Sequence, residues 1–517
     1  MRRVSIVLQW LLCITAIVHA AESPSSRSKG RIAKFLESVG IDPAEIDIPH
    51  RTEGNATFAC AILDATNNSD VVFPNDGQIY TEEANAHASS TARKRPRCIC
   101  TPRSTNGVVL AVRVAAFLKT RFAVRSGGHS PMVGFANIDD GFLLSMNVIT
   151  DLEYNSKSQT LTSGFGNRWL DIYDYLQPLG RVVVGGRAPT VGLALATGGG
   201  LSHLSNLYGW ASQNTISYRM VLGNGTVVTA SERQNSDLYF AVKAGSNNYG
   251  FVTHITQHTY PLGRVWGGVM VFPGNQSTEF MGAMSDFQRS GQLDRKAAIL
   301  PYISTVGDVI IAQLVYLEGR ARPAAFAPFY SITTLQSNLR FYDSFRDFVA
   351  APATAELERY TYGVTTILHD KQAYQDVIGI VDRYRAAIQS IPSLDVVLMP
   401  QPISISMVRE SIKRGPDPMG VTAKPQLWLG VTCDAWNRPA DDAKVGRLLV
   451  DIIADIGRYS KTRGLYDKFL FLNDAHSSQK PLQGYGSNTF ETLKATSLKW
   501  DPQRVFQRLV PGGFKLG

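Results

Sequence analysis

Apolar residues recur along this chain with two spacings, one typical of helices and one typical of strands. Trp169, Ile172, Tyr173 and Leu176 follow the spacing that places four residues on one helix face. Similar patterns predict further helices over 32–39, 108–118, 238–243, 277–288, 322–335, 371–389 and 440–459. Short apolar runs bounded by glycine or polar residues predict strands over 122–124, 141–146, 159–163, 181–184, 265–272, 309–317, 395–398 and 427–433.

A hairpin is predicted over 218–229, where Gly223, Asn224 and Gly225 separate two strand-like runs. Because strands and helices alternate with short loops as far as Pro261, this part of the chain is α+β or α/β and not all-β. The 517 residues exceed what one hydrophobic core organises, so we expect two or more domains. The pattern changes after Pro261, which places a second domain over about 265–460.

Composition and charge fit an ordinary globular protein. Hydrophobic residues make up 44% and charged residues 18% of the chain, which excludes a disordered protein. The net charge of +9 would suit a nucleic-acid binder, but the basic residues are dispersed. Their one dense run, 93–97, is interpreted as a solvated loop because no zinc-finger or RNA-binding motif accompanies it. We therefore expect no nucleic-acid partner.

The first twenty residues have the layout of a secretory signal peptide. Arg2 and Arg3 precede an apolar stretch over 4–18, and a small-residue cleavage site follows at 18–20. The stretch is short for a bilayer span and no second one is present, so we expect no membrane span after cleavage. An uncleaved anchor is the alternative. The expectation is a secreted protein.

Secretion favours a disulfide among the remaining cysteines. We expect Cys60 to pair with Cys98, although Cys100 lies in the same extended segment and the sequence does not choose between the two. The pairing of Cys100 and Cys433 stays open. Acceptor motifs for N-glycosylation, which suit a secreted protein, stand at Asn55, Asn67, Asn224 and Asn275.

Glycine is concentrated in three segments, which give the first indication of function. The first glycine segment is 125–130 (RSGGHS), the second is 188–200 (APTVGLALATGGG) and the third is 245–250 (GSNNYG). Backbone N–H groups bind phosphates where glycine lets the chain approach closely. None of the three has the G-x-G-x-x-G or G-x-x-x-x-G-K-[ST] spacing, and each alone could be a simple turn. Together they indicate a dinucleotide cofactor.

The order of these motifs resembles the FAD-binding domain of the berberine bridge enzyme-like oxidoreductases, within the vanillyl-alcohol-oxidase superfamily. The motifs are RSGGHS, APTVGLALATGGG, NLYGWASQN and DLYFAVKAGSNNYGFVT, and the end WDPQRVFQRLVPGGFKL is similar to that of fungal members. The resemblance is firm over about 60–259 and again from 469. It implies an α+β fold: a PCMH-type FAD-binding domain of two α/β subdomains, plus a substrate domain with an antiparallel sheet covered by helices.

The resemblance also implies how the chain is divided. The signal peptide, 1–20, precedes an N-terminal segment, 21–93, that packs on the FAD-binding domain. That domain spans 94–264, and the substrate-binding domain spans 265–460. A C-terminal segment, 461–517, returns to the FAD-binding domain.

His129 matches the histidine that bonds the C8 methyl group of the flavin in this family. An imidazole nitrogen is a competent nucleophile, so the resemblance implies covalently bound FAD. Many relatives carry a second link through a cysteine just before Pro-Thr-Val-Gly. Because Ala188 stands at that place, we expect a single link through His129. A histidine that merely stabilises a turn is the alternative.

Other cofactor contacts implied by the resemblance are mostly made by the backbone. They fall on Arg125, Ser126, Gly127, Gly128, Ser130, Thr190, Gly192, Gly199, Asn214, Gly250 and Val252. Val191 matches a position where valine accompanies oxidase behaviour in relatives, so we expect O2 as the electron acceptor.

The family's Tyr-x-Asn motif matches Phe471-Leu472-Asn473, in which the asparagine is kept but the phenol is lost. A phenyl ring cannot act as a base, so another group must accept the proton. We expect Asn473 and Asp434 to be catalytic. Asp474, His476 and His369 are alternative bases, and each could instead be an ordinary surface residue.

The function implied is that of an FAD-dependent oxidoreductase, most simply an oxidase. It would transfer a hydride from a small organic substrate, a secondary-metabolite intermediate or an alcohol, to FAD. One alternative is a flavin-dependent oxidative cyclase of a biosynthetic pathway, and another is a secreted glycoprotein of the same fold without turnover. The expected partners are the small-molecule substrate and O2, the expected state is a monomer, and no metal is expected.

Overall fold

The structure is a computed structural model that describes residues 24–289, 293–351 and 357–517. The signal peptide predicted over 1–20 lies outside these residues. The chain divides into two compact units, the first ending at Thr52 and the second beginning at Glu53. In the first unit, helix α1 (Pro24–Ser38) is followed by a short 3-10 helix, which Asp42 caps by accepting the amide of Ala44.

The first of three sheets in the described part of the second unit contains parallel and antiparallel strands. Its order is β1 (Ser69–Val72), β2 (Ile99–Pro102), β4 (Phe142–Ser145) and β3 (Phe122–Arg125), with only β1 antiparallel to its neighbour. Helices α2 (Ala56–Ala65) and α4 (Thr105–Leu118) bury their apolar residues beside it. Cys60 in α2 forms a disulfide with Cys98, which confirms that pairing, while Cys100 and Cys433 are buried free thiols.

The second sheet is antiparallel and is organised around one long strand. Its order is β5 (Leu152–Asn155), β6 (Thr160–Gly164), β10 (Phe251–Pro261), β8 (Thr215–Val221) and β9 (Val227–Ser231), and β7 (Arg181–Val183) also pairs with β10. The predicted hairpin is confirmed as β8 and β9. Helices α5 (Trp169–Leu176) and α7 (Ser236–Gly245) contribute to its core, and all four residues of the predicted α5 face are buried.

The third sheet is a large antiparallel sheet, as the resemblance implied. Its main path in the described residues is β14 (Gln336–Ser337), β11 (Val265–Pro273), β13 (Val309–Tyr316), β12 (Ala297–Ser304), β17 (Asp395–Ile403), β18 (Gln426–Asp434), β16 (Tyr360–Leu368) and β19 (Tyr466–Asp467), with β15 (Arg340–Tyr342) beside β11. Apolar residues of one face pack against helices α8 (Ser277–Arg289), α11 (Lys371–Asp382) and α14 (Asp442–Thr462). The fold class is therefore confirmed.

The remaining helices of the described second unit are short, apart from α16. They are α3 (Gln78–Asn85), α6 (Ser205–Tyr208), α9 (Ala327–Tyr330), α10 (Phe345–Ala350), α12 (Arg385–Gln389), α13 (Ile405–Lys413), α15 (Pro481–Gly484), α16 (Ser487–Trp500) and α17 (Val505–Arg508). Within the part of the chain that the structure describes, no helix has both the length and the apolar character that crossing a bilayer demands.

Two helix predictions need correction. The single helix predicted over 322–335 is wrong: only Ala327–Tyr330 is α-helical, because Pro323 and Pro328 interrupt the hydrogen-bond pattern and Arg322 adopts a left-handed conformation. The helix predicted over 371–389 is two helices, α11 and α12.

Two central strands of the large antiparallel sheet were not predicted. Strand β12 contains Pro301, which argues against an interior strand. It is tolerated because the pairing of β12 with β17 begins only beyond it, at Ile303. Strand β16 is rich in Tyr and Thr and lacks a continuous apolar run, although these residue types favour strands.

Candidate active site

The first and second glycine segments meet backbone to backbone. A Cβ atom on Gly127 would lie 2.5 Å from the amide nitrogen of Gly192, and one on Gly192 would lie 2.6 Å from Gly127. Neither position therefore accepts a side chain unless the backbone moves. Arg168, which forms an isolated bridge with Gly192, donates through its guanidinium to the Ser126 carbonyl at 3.0 Å. The two segments thus form one continuous backbone surface.

The second segment continues to the helix that leads into the third. The Gly199 amide donates to the carbonyl of Lys243, in the last turn of α7, at 3.1 Å. Gly199 has a φ of +93°, in the region that favours glycine, and a Cβ there would lie 2.6 Å from the sulfur of Met419. All three glycine segments thus lie in one region, which we name the glycine cradle.

His129 lies at the boundary between the glycine cradle and the large antiparallel sheet. The phenol of Tyr360, the first residue of β16, donates to the His129 carbonyl at 2.6 Å. The imidazole is partly accessible. Burial and the positive charge of Arg168 lower the pKa of His129, so the ring is neutral at physiological pH and one nitrogen keeps its lone pair.

Several polar side chains predicted to contact the cofactor are bonded within the protein. Arg125 is buried and donates to the Glu83 carboxylate at 2.6 Å and to the Ser145 hydroxyl at 2.9 Å. Ser126 donates to the Phe165 carbonyl, and Ser130 accepts the amide of Met132. These side chains hold the first segment in shape, which leaves its backbone as the binding surface.

Asn214 is also committed to the loop in which it stands. Its side-chain amide donates to the carbonyls of Tyr208 and Trp210 at 2.8 and 2.7 Å, and its oxygen accepts the phenol of Tyr260 at 2.7 Å. Asn214 is fully buried, so its side chain stabilises the loop.

The other predicted cradle positions differ in exposure. Thr190 is exposed and Val191 is partly exposed, whereas Gly250 and Val252 are buried at the start of β10. A Cβ on Gly250 would lie 2.8 Å from the Val221 carbonyl. The Gly128 carbonyl accepts the amide of Ala88, and its φ of +65° again suits glycine.

One face of the large sheet is polar, and strand register explains which residues share it. Tyr360 lies directly opposite Asp434, and Tyr362 lies opposite Thr432, so these four side chains project from the same face. On β17, Gln401 belongs to this face because it lies opposite Trp428, which is an even number of residues from Asp434. We name this surface the polar sheet face.

The polar sheet face brings together groups with strongly shifted pKa values. Burial raises the pKa of Asp434 to about 7, although the Thr432 hydroxyl donates to its carboxylate at 2.9 Å. Burial also raises the pKa of Asp474 to about 6, against the opposing effect of Arg187. Both carboxylates raise the pKa of Tyr360 beyond the effect of its burial, so all three groups lie in one electrostatic cluster.

Tyr360 and two further members of this cluster have no counterpart among the predictions. Arg187, immediately before the second glycine segment, is hydrogen-bonded to Gln401 and interacts electrostatically with Tyr302 and Asp474. Tyr302 lies on the unpredicted strand β12. The alternation of side chains along a strand could have indicated that Tyr302 faces the polar side of the sheet. That indication requires β12 to be recognised as a strand first.

Asn473 links the C-terminal part of the chain to the glycine cradle. Its side-chain nitrogen donates to the Leu195 carbonyl at 3.1 Å, and its side-chain oxygen accepts the Gly200 amide at 3.3 Å. The preceding Phe471 is buried against Trp210 and Trp428, with ring centroids 5.8 and 4.9 Å away. A phenol at position 471 would therefore enter an aromatic cluster.

The alternative bases separate into two groups. Asp474 joins Asp434 at the polar sheet face, as described above. His476 lies against the opposite face of β16, because a Cβ on Gly363 would point toward both His476 and Ile453 of α14. His369 is within hydrogen-bond distance of the Ser285 hydroxyl, 2.9 Å away, in α8. Both histidines therefore lie among the covering helices.

Comparison with known proteins agrees with this geometry. Residues 96–231 match the FAD binding domain family. The chain is 52% identical over 505 residues to the bifunctional solanapyrone synthase of Alternaria solani, with 98% of each chain covered. This chain belongs to a family of FAD-linked oxidoreductases. It is also 32% identical over 515 residues to an FAD-dependent monooxygenase of Arthrobotrys oligospora, again with 98% of each chain covered.

Solved structures share the fold of this FAD-linked oxidoreductase. The 6-hydroxy-D-nicotine oxidase of Arthrobacter nicotinovorans has a TM-score of 0.71 at 21% identity, with 85% of this chain and 96% of that chain covered. The glucooligosaccharide oxidase of Acremonium strictum has a TM-score of 0.72 at 18% identity, with coverage of 88% and 98%. The cofactor of that glucooligosaccharide oxidase is a 6-S-cysteinyl, 8α-N1-histidyl FAD.

The residues of the glycine cradle fit FAD. A ligand that binds close to main-chain amides needs backbone free of side chains. The cradle provides this at Gly127 and Gly192, whose Cβ positions are occupied by backbone, and at Gly128 and Gly199, which have positive φ. The neutral, partly accessible imidazole of His129 also suits such a ligand. The chain is thus an FAD-dependent oxidoreductase, and its glycine cradle lies next to the polar sheet face.

Proposed function

We propose that this protein is an oxidase that carries FAD on a single covalent link to His129 and oxidises a small intermediate of a biosynthetic pathway. The observation that carries the proposal is the position of His129, which connects the glycine cradle to the polar sheet face through the Tyr360 hydrogen bond. When bound, FAD accepts a hydride from the substrate and passes the electrons to O2, giving hydrogen peroxide.

The chain's own part in forming the link is to present a neutral imidazole at a fixed position. The link would join this imidazole to the 8-methyl carbon of the flavin in place of one C–H, and O2 would accept the two electrons and two protons released, forming hydrogen peroxide. A protonated ring could not attack, and burial beside Arg168 disfavours protonation. Ala188 supplies no thiol for a second link.

In the proposed reaction, Asp434 accepts the proton that the substrate O–H or N–H releases as hydride departs. Its raised pKa, about 7, makes it a stronger base than an ordinary carboxylate. Asn473 acts by positioning, because its amide bridges Leu195 and Gly200 of the second segment. Val191, partly exposed in the same segment, is the residue to which we attribute oxidase behaviour.

An oxidative cyclase is a second candidate, favoured by the name of a relative. The protein of Alternaria solani is called a bifunctional synthase, so more than one function is ascribed to a chain 52% identical to this one. The polar sheet face offers the Tyr302 phenol as a donor and the phenol oxygens of Tyr360 and Tyr362, whose protons are given to carbonyls, as acceptors that could orient an oxidised product for ring closure. The solanapyrone synthase substrate is therefore the first compound to assay.

The decisive experiment is denaturation of the purified protein in SDS. We expect flavin fluorescence to remain with the polypeptide in the natural sequence and in His258→Ala, a change at an exposed strand position, and to separate from it in His129→Ala. Flavin that leaves the natural sequence on denaturation would refute the covalent link. A preparation without a visible flavin absorption band would favour the glycoprotein without turnover.

Product analysis with peroxide measurement separates the two enzymatic candidates. A simple oxidase gives one oxidised product with an equal amount of peroxide, whereas a cyclase gives a product with an additional ring. We further propose secretion, a monomeric state and glycosylation. The disulfide between Cys60 and Cys98 supports the secretory route, and Asn67, Asn224 and Asn275 are exposed whereas Asn55 is half-buried.

A further inference from the structure

A lysine side chain lies between two of the glycine segments without a direct ion pair to any of the described residues. Lys515 is near the C-terminal end of the sequence, and its ammonium is 3.2 Å from the side-chain oxygen of Asn247, in the third glycine segment. Among the residues that the structure describes, no carboxylate lies within ion-pair distance of it. An amide oxygen satisfies one N–H of an ammonium but not its charge.

The segment that carries Lys515 is held firmly by the third glycine segment. The Asn247 side chain donates to the Gly512 carbonyl at 3.1 Å, and the Asn248 side chain donates to the Phe514 carbonyl at 2.8 Å. Gln507 donates in turn to the side-chain oxygen of Asn248, at 2.8 Å. Beyond Lys515, the amide of Leu516 donates to the side-chain oxygen of Gln507 at 3.2 Å, so hydrogen bonds on both sides of Lys515 fix its backbone.

The same segment also contacts the elements that flank the first glycine segment. Phe514 packs edge-on against Phe135, with ring centroids 5.3 Å apart, and a Cβ on Gly512 would lie 2.2 Å from the Phe135 carbonyl. The Leu509 carbonyl accepts the amide of Phe122, at the start of the strand that leads into the first segment. Residues 509–516 thus run between the first and third glycine segments.

Lys515 is surrounded by protein but remains partly exposed to solvent. The Lys515 side chain is partly accessible, although its surroundings are dry enough to lower the pKa of Lys515 to about 7. Asp501 interacts electrostatically with Lys515, but its carboxylate is engaged by the amides of Val505 and Phe506 at 2.9 and 2.8 Å. An anion bound beside the ammonium would raise the pKa of Lys515 again and keep the side chain charged.

We propose that Lys515 is a cofactor-binding residue whose ammonium contacts the diphosphate of FAD, so that residues 509–516 form part of the cofactor site. The inference rests on the proposed flavin site and adds a specific cation to it. Backbone amides and helix dipoles carry only partial charges, whereas a diphosphate carries full negative charges. Arg125 cannot supply the balancing charge because its guanidinium is paired with Glu83.

The experiment compares Lys515→Met, which keeps the unbranched chain as far as the ε position but not the charge, with Lys515→Arg, which keeps the charge. Lys157→Met, at an exposed turn, is the matched control. In the holoprotein, we expect the 31P resonances of the FAD diphosphate to shift in Lys515→Met and to stay unchanged in the control. In a His129→Ala background, we expect FAD to dissociate about ten to a hundred times faster from Lys515→Met than from the control.

The Arg variant separates charge from packing. If the ammonium binds the diphosphate, Lys515→Arg retains FAD nearly as well as lysine, and Lys515→Gln releases it as Lys515→Met does. Retention by Met and loss by Arg would instead assign a packing role and overturn the inference. So would 31P resonances and release rates of Lys515→Met that coincide with those of Lys157→Met. Absence of FAD from the unsubstituted chain would contradict the proposed function itself, a result distinguishable from all of these.

Discussion

The glycine cradle and the polar sheet face are built by different means. In the cradle, Gly127 and Gly192 touch through their backbones, and the polar side chains nearby hold the loops in shape. On the sheet face, the chemistry belongs to side chains, among them Asp434 and Tyr360, that project from a regular ladder. Close contact between backbones restricts which residues the cradle allows. A pair of hydrogen-bonded strands, in contrast, accepts many different side chains at the same position.

This difference indicates which positions tolerate amino-acid substitution. A cradle of backbone amides serves any chain that needs the same cofactor, so its residues are constrained by contact distance. The sheet face can be altered one residue at a time while the ladder below it remains intact. We therefore expect substitutions in the cradle to affect FAD retention and stability, and substitutions on the sheet face to affect turnover.

The largest effect is expected for Asp434→Asn, which removes the proposed base and retains its shape. We expect kcat/KM to fall by about 10²- to 10⁴-fold while the flavin content stays normal. The base works in its ionised form, so the activity of the natural sequence should rise as the pH increases through about 7, and this rise should vanish in the variant. Asp451→Asn, at an exposed helix position, is the control for steady-state kinetics.

Gly127→Ala tests the cradle, where we expect stability and flavin content to change. The added methyl group would lie 2.5 Å from the Gly192 amide, so we expect a loss of about 1–3 kcal/mol in the free energy of unfolding and a lower flavin content. Thermal unfolding and the ratio of flavin to protein absorbance measure both. Gly379→Ala, which meets no atom within 4 Å, should change stability by no more than about 1 kcal/mol. Equal behaviour of the two variants would contradict the close contact.

Phe471→Tyr asks whether the phenol lost from the family motif can be restored. The ring is buried between two indoles, and a hydroxyl without a partner there costs about 1–3 kcal/mol. We expect reduced stability and no gain in turnover, measured by thermal unfolding and steady-state kinetics. A marked rise in turnover would mean that this position, and not Asp434, is suited to the base.

The smallest effect is expected from enzymatic removal of N-glycans. Asn67, Asn224 and Asn275 are exposed and distant in sequence from the catalytic candidates, so deglycosylation should lower the apparent mass and leave kcat/KM unchanged. Mass spectrometry and a kinetic comparison suffice. An unchanged mass would remove this support for secretion.

The two regions also differ in how far the sequence predicts them. Gly127, Gly192 and Gly199 could be recognised because close backbone contact and positive φ leave few other residues possible. Tyr302 and Arg187 could not, because their importance depends on strand register across residues far apart in the chain. Tyr302 was missed because Pro301 argued against an interior strand, and Asp434 became a candidate only because it lies at the end of the predicted strand over 427–433.

The bonds from Asn247 and Asn248 to residues 512 and 514 join positions 265 and 266 apart in the chain. During synthesis, the third glycine segment emerges long before the residues that complete its hydrogen bonds. Contacts so distant in sequence form late because the loop between them must first be ordered. Cofactor loading should therefore follow, and not guide, the folding of the large antiparallel sheet.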